Sequence, residues 1–179
     1  MTPQRLFDEL LVLHAKTGRL AAADRLAARW QPRFLRTARR VLGDTGLAEE
    51  AAQETWLAIS ARLHTLRDPK AFPAWAFSIL HRRCADCLRR TIRDRGIFSG
   101  TETVPDVAID GGAEARLSIN AAFARLSDEH RIAAVLFFGE GLTLAEIAVA
   151  TDVPLGTAKS RLFHARKQLR AELQETAHD

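Results

Sequence analysis

Cys84 and Cys87 are the only thiols in the chain; they stand as C-x-x-C inside HRRCADCLRR, residues 81–90, with His81 just upstream. Residues of these types at this spacing could serve as a zinc site, a dithiol couple, or two small side chains on a helix. On a helix, positions 84 and 87 are i, i+3 neighbours and can meet. A structural zinc site takes four ligands, and this stretch offers three, with no fourth evident nearby. The adjacent arginines would favour a thiolate, which leaves redox sensitivity open. The same ten residues hold Arg82, Arg83, Arg89 and Arg90, and that cation density is the stronger signal. It suits a phosphate backbone better than the cysteines suit a metal, so no metal ligand and no cofactor is assigned.

Elements must position these groups, and the composition says which. The chain has 179 residues, 47% of them apolar, enough to bury a core. Good helix formers dominate, Tyr is absent, and no useful segment alternates with period two. The expected fold class is all-α. The N-terminus carries Asp8 and Glu9 where a signal peptide would need an apolar core, and no apolar run approaches a membrane span. A cytoplasmic protein without membrane insertion is expected. Enzymatic chemistry lacks a constellation: the six histidines are dispersed, and no glycine-rich phosphate loop occurs.

Residues 96–115 hold four glycines, one proline and the acids Glu102, Asp106, Asp110 and Glu114, with no base. That composition reads as a flexible acidic linker. It divides the chain into residues 1–95 and 116–179. Two basic stretches flank it. Residues 82–95 carry six arginines against Asp86 and Asp94, and residues 155–170 carry Lys159, Arg161, Arg166, Lys167 and Arg170 with no acid. Such clustering points to nucleic acid.

The C-terminal stretch LTLAEIAVATDVPLGTAKSRLFHARKQLRAEL, residues 142–173, has a legible plan. Thr143 and Glu146 form a capping box that starts a short helix, about 144–150. Pro154 disfavours a helical Val153 and turns the chain. A second helix then runs from about Leu155 to Leu173. A short helix, a tight turn and a longer basic helix make a helix-turn-helix. At 100° per residue, Ala158, Leu162, Ala165 and Leu169 share a buried stripe, while Lys159, Ser160, Phe163, His164 and Lys167 point outward. Cations, a hydroxyl, an imidazole and a ring are the groups that read a major groove.

A helix from Leu47 to about Leu63 likewise has two faces. Ala48, Ala52, Thr55, Ile59 and Leu63 share one; Glu50, Gln53, Glu54 and Leu57 share the other. A leucine among acids on the outward face fits a partner surface.

These residues resemble the compact extracytoplasmic-function (ECF) group of bacterial RNA polymerase sigma factors. GTAKSRLFHARKQLRAEL with LTLAEIA is similar to the group's promoter-binding domain. Ala158 stands for the usual valine, and His164 for the first arginine of an Arg-Ala-Arg segment. ARRVLGDTGLAEEAAQETWLAI and FPAWAFSILHRRCADCLRR match the group's N-terminal segments. There Glu50 replaces an aspartate, His81 an arginine and Arg82 an asparagine. The resemblance implies four helices in each domain, no catalysis, and minus-35 recognition by Lys159, Ser160, Phe163, His164 and Lys167. It assigns minus-10 recognition and melting to Lys70, Ala71 and Phe72 of the loop RDPKAFP, with Arg82, Arg83, Arg89 and Arg90 on strand phosphates. Trp75 reads as core. It places Glu50, Gln53, Glu54 and Leu57 against the clamp helices of the largest subunit of core RNA polymerase. The flap of the second-largest subunit, promoter DNA and an anti-sigma factor are the other implied partners. The linker acids would mimic RNA in the exit channel, so charge reversal there should impair initiation. A stand-alone helix-turn-helix regulator is the alternative, and it leaves the Gln53–Glu54 face unused.

Overall fold

A computed structural model describes residues 3–95 and 113–176, which are helical with no strand among them. The N-terminal region holds α1 (Pro3–Lys16), α2 (Leu20–Leu42), α3 (Thr45–Arg62) and α4 (Phe72–Arg95). Two 3₁₀ turns, Leu63–Thr65 and Pro69–Ala71, join α3 to α4. The C-terminal region holds α5 (Ala113–Ala124), α6 (Asp128–Ala134), α7 (Leu144–Thr151) and α8 (Leu155–Thr176). A π-helical turn, Val135–Gly139, extends α6. Glu102, Asp106 and Asp110 of the acidic stretch lie outside the described residues. Glu114 falls in the first turn of α5, so this helix begins ahead of position 116.

Local chemistry sets the boundaries. Gly43 adopts a left-handed φ of 67°, and its N–H reaches the Arg39 carbonyl at 2.8 Å, which closes α2. Asp44 starts α3 at once by accepting the Leu47 N–H at 2.8 Å. The capping box of α7 is formed in both directions. The Thr143 N–H donates to Glu146 Oε2 at 2.7 Å, and the Glu146 N–H donates to Thr143 Oγ1 at 3.2 Å. Asp152 then takes a left-handed φ of 55° and turns the chain into α8.

Aromatic rings fill the N-terminal core. Trp30, Phe34, Phe72 and Phe77 are all buried. Trp30 meets Phe72 edge-on with centroids 4.8 Å apart, and Phe34 meets Phe77 at 5.6 Å. Burial of each ring contributes about 2–3 kcal/mol. The buried face of α3 includes Ala48, Ala52, Thr55 and Ile59, with Leu63 half-buried beyond the helix end. In the C-terminal region Ala158, Leu162, Ala165 and Leu169 are buried as their spacing predicts.

The two regions also pack on each other, which the linker composition did not suggest. Leu142, Ile147, Ala150 and Ala158 belong to the same apolar cluster as Leu26, Ile59 and Leu80. Helix α7 lies along α4. Helical periodicity identifies a buried face but not the surface that covers it, so this contact has no signature in the sequence.

Candidate nucleic-acid interface

The outward face of α8 is the most open of the expected sites. Lys159, Ser160, Phe163, His164 and Lys167 are all exposed, and the Phe163 ring is 64% accessible. Burial of Ala158, Leu162, Ala165 and Leu169 against the rest of the region fixes the helix, so this face is held rigidly outward. His164 is braced: its ring stacks on His130 of α6 at 5.8 Å and meets Phe163 edge-on at 5.5 Å. Gln168 lies 3.3 Å from His130 Nδ1. Arg161 turns back to α6, where it pairs with Glu129 at 3.0 Å. A cleft of about 490 Å³ along α8 is lined by Lys159, Phe163, Arg166, Lys167 and Arg170 over Leu144 and Leu162. Arg166 and Arg170 were not among the outward residues taken from the helical wheel. Their signal was present in the acid-free basic run of 155–170.

Of the expected minus-10 groups, Phe72 is not on the surface. Lys70 and Ala71 are exposed on the Pro69–Ala71 turn, which Asp68 caps by accepting the Lys70 N–H at 2.9 Å. The Phe72 ring is only 1% exposed. It packs on Trp30 and lies 6.0 Å from Trp75, so it is part of the core and offers no platform for a base in this conformation. Trp75 is partly buried against the same core. An apolar residue in a Pro-rich loop reads as available from sequence. Here the loop is so short that Phe72 is already the first residue of α4 and points inward.

Helices α3 and α4 pack against each other, and their outer edges carry opposite charge. Arg90 Nη1 donates to Glu50 Oε1 at 2.7 Å, and Arg83 Nε lies 3.8 Å from Glu54 Oε2. Arg89 pairs with Asp86 one turn earlier. Thus three of the four arginines expected on phosphate have carboxylate partners, two of them on the α3 face expected to meet the polymerase. Arg82 is exposed. Gln53 and Leu57 are also exposed, Leu57 by 66%.

Cys84 and Cys87 are free thiols, and both are buried. Burial, with Cys87 alongside, pushes the Cys84 thiol up to about 12. Burial also raises Cys87, although Arg90 opposes this by donating to its sulfur at 3.2 Å. Neither is a thiolate near neutral pH, so neither is primed as a nucleophile or ligand. Among the described residues no three His, Cys, Asp or Glu side chains converge as a metal site. His81 is held below its ordinary pKa by burial first and then by Arg161 and Arg82, with Asp152 opposing.

Fold and surface together define an all-α DNA-binding protein with a helix-turn-helix. Residues 26–94 match the family model for sigma-70 region 2, and residues 122–171 match sigma-70 region 4. The chain is 34% identical to the ECF RNA polymerase sigma factor SigL of Mycobacterium tuberculosis, over 78% of this chain and 82% of that protein. It is 28% identical to the RNA polymerase sigma-H factor of Pseudomonas aeruginosa, over 93% of this chain and 94% of that one. Its fold is similar to the sigma factor RpoE solved with the anti-sigma factor NepR from Bartonella quintana, with TM-score 0.73, 22% identity, and coverage of 84% and 96%. It is also similar to CnrH solved with the cytosolic domain of CnrY, with TM-score 0.69, 23% identity, and coverage of 94% and 98%. The chain belongs to the ECF group of RNA polymerase sigma factors, and it directs promoter-specific transcription initiation. No helix among the described residues is long and apolar enough to cross a membrane.

Proposed function

We propose that residues 116–179 read minus-35 duplex DNA through the outward face of α8, while residues 1–95 bind core polymerase and help open minus-10 DNA, with 96–115 joining them. The observation that carries this reading is the exposed set Lys159, Ser160, Phe163, His164 and Lys167 on a helix whose other face is fixed in the core. Arg166 and Arg170, beside the same cleft, supply further phosphate contacts. For the minus-10 strand, Lys70, Ala71 and Arg82 are the accessible groups. Arg83, Arg89 and Arg90 act there only by exchanging a carboxylate for a phosphate. On α3, Gln53 and Leu57 form the accessible centre of the polymerase surface, with Glu50 and Glu54 at its edge. The flap of the second-largest subunit is assigned to the C-terminal region. On this reading the chain supplies recognition and the polymerase supplies the chemistry, in the cytoplasm. The solved relatives that carry anti-sigma factors support a similar partner for this chain.

Run-off transcription with core polymerase tests the assignment. Lys159→Ala and Lys167→Ala should each lower transcript from a cognate promoter while binding to core is kept. Loss of one phosphate contact should also reduce the salt slope of promoter binding by about 1. Equal transcription by both variants would remove α8 from minus-35 recognition.

A further inference from the structure

The turn that leaves the C-terminal region at Gly139–Gly141 enters a cleft of about 510 Å³ lined by Arg5, Arg29, Arg33 and Arg36 of α1 and α2. Glu140 is inserted into it, with its side chain 1% exposed. Both carboxylate oxygens are engaged by α2. Oε2 accepts from Arg33 Nε at 2.7 Å; Oε1 accepts from Thr37 Oγ1 at 3.1 Å and lies 3.5 Å from Arg36 Nη2. Arg33 is itself held over the Trp30 ring at 3.9 Å. A Cβ at Gly139 would come within 2.9 Å of Arg40 Nη1, so the turn passes close to the end of this α2 side chain. Two further arginines bridge the same boundary. Arg5 donates to Glu146 at 2.7 Å and to the Gly141 carbonyl at 3.0 Å, and Arg131 donates to the Val41 carbonyl at 3.4 Å.

Size makes this contact consequential. With α7 packed along α4, the basic stretch of α4 and the helix-turn-helix sit about one helix-packing distance apart, about 8–10 Å between axes. Minus-35 and minus-10 elements are separated by about 25 base pairs, or roughly 85 Å of duplex at 3.4 Å per pair. One closed molecule cannot reach both. We propose that Glu140 is an intramolecular latch: the arginine cleft on α1–α2 is the receptor, the Gly139–Gly141 turn is its ligand, and release of the turn precedes promoter engagement. This rests on the assignment of the two regions to the two elements. Asp8 in the same cleft pairs with Arg29 at 2.8 Å and lies 3.9 Å from Arg33, so a neutral side chain at 140 removes a carboxylate from Arg33 and Arg36 while Arg29 keeps its own.

Energy transfer between dyes on Ser60→Cys and Ala171→Cys, both exposed positions, reports closure in the full chain without DNA or polymerase. The native cysteines are buried and should label slowly. Glu140→Gln keeps the shape of the turn and removes its charge; the open population should rise by roughly tenfold or more, as expected when one partner of a buried pair is lost. Arg36→Gln, at the more exposed end of the cleft, guards against misfolding and should give a smaller rise. With core polymerase present, the rate of promoter-complex formation should rise in the same order. A helical, cooperatively melting Glu140→Gln chain with wild-type transfer would overturn the latch. Opening without any faster formation of the promoter complex would overturn its role before promoter engagement. Failure of the α8 assignment would show only in transcription and would leave the transfer data unchanged.

Discussion

At the scale of single residues, burial decides what each group can do. Phe72 is the clearest case. Phe72→Ala should cost about 3–5 kcal/mol of stability, read as a lower melting midpoint, because it empties the space beside Trp30. Lys70→Ala, on the exposed turn, should leave the midpoint in place; if Phe72→Ala did so too, the ring would not be core. Cys84 gives a second test. With its thiol pushed up to about 12, it should react with a thiol reagent at pH 7 much more slowly in the folded chain than in urea. Equal rates would contradict its burial. The sequence made the α8 faces legible because Ala158, Leu162, Ala165 and Leu169 repeat with helical spacing. It could not expose the inward aim of Phe72, which depends on where α4 begins. Nor could it reveal the pairing of Arg90 with Glu50, which joins residues on two helices.

Helices carry their own instructions at their ends, and those were readable. Thr143 and Glu146 announced the start of α7, and Pro154 announced the turn before α8. Thr143→Ala should cost about 1 kcal/mol through loss of the cap, measured by denaturant unfolding. Glu146 serves a second purpose. Burial alone would raise its carboxyl, but hydrogen bonds from Arg5 and Thr143 outweigh this and hold it below the usual range. Helix α4 meets the helix-turn-helix near His81, whose charged groups nearby are Arg161, Arg82 and Asp152. Because packing depresses the His81 pKa, the separated state takes up the proton more readily. Closure is therefore favoured above about pH 6.5, the ordinary histidine value, and weakens as pH falls through and below it. Dye transfer should decline between pH 7.5 and 5.5 in the parent chain and decline less in His81→Gln. Identical titrations would remove His81 from the contact.

For the whole molecule, the division into two regions was legible from the acidic stretch, but their contact was not. Glu140 shows why: a lone glutamate after an apolar run has no pattern that names Arg33 and Thr37 as partners. A closed chain of this length should have a radius of gyration within a few ångströms of about 16 Å, and Glu140→Gln should expand it in small-angle scattering. Unchanged dimensions would argue that apolar packing of α7 on α4 holds the regions without the carboxylate. The 103-residue span between Thr37 and Glu140 also gives the molecule a history. Synthesis at about 5–20 residues per second brings Glu140 out of the ribosome about 5–20 s after its receptor. Each nascent chain thus presents its N-terminal helices uncovered for that interval, and a newly made copy can meet the polymerase before it has ever been closed.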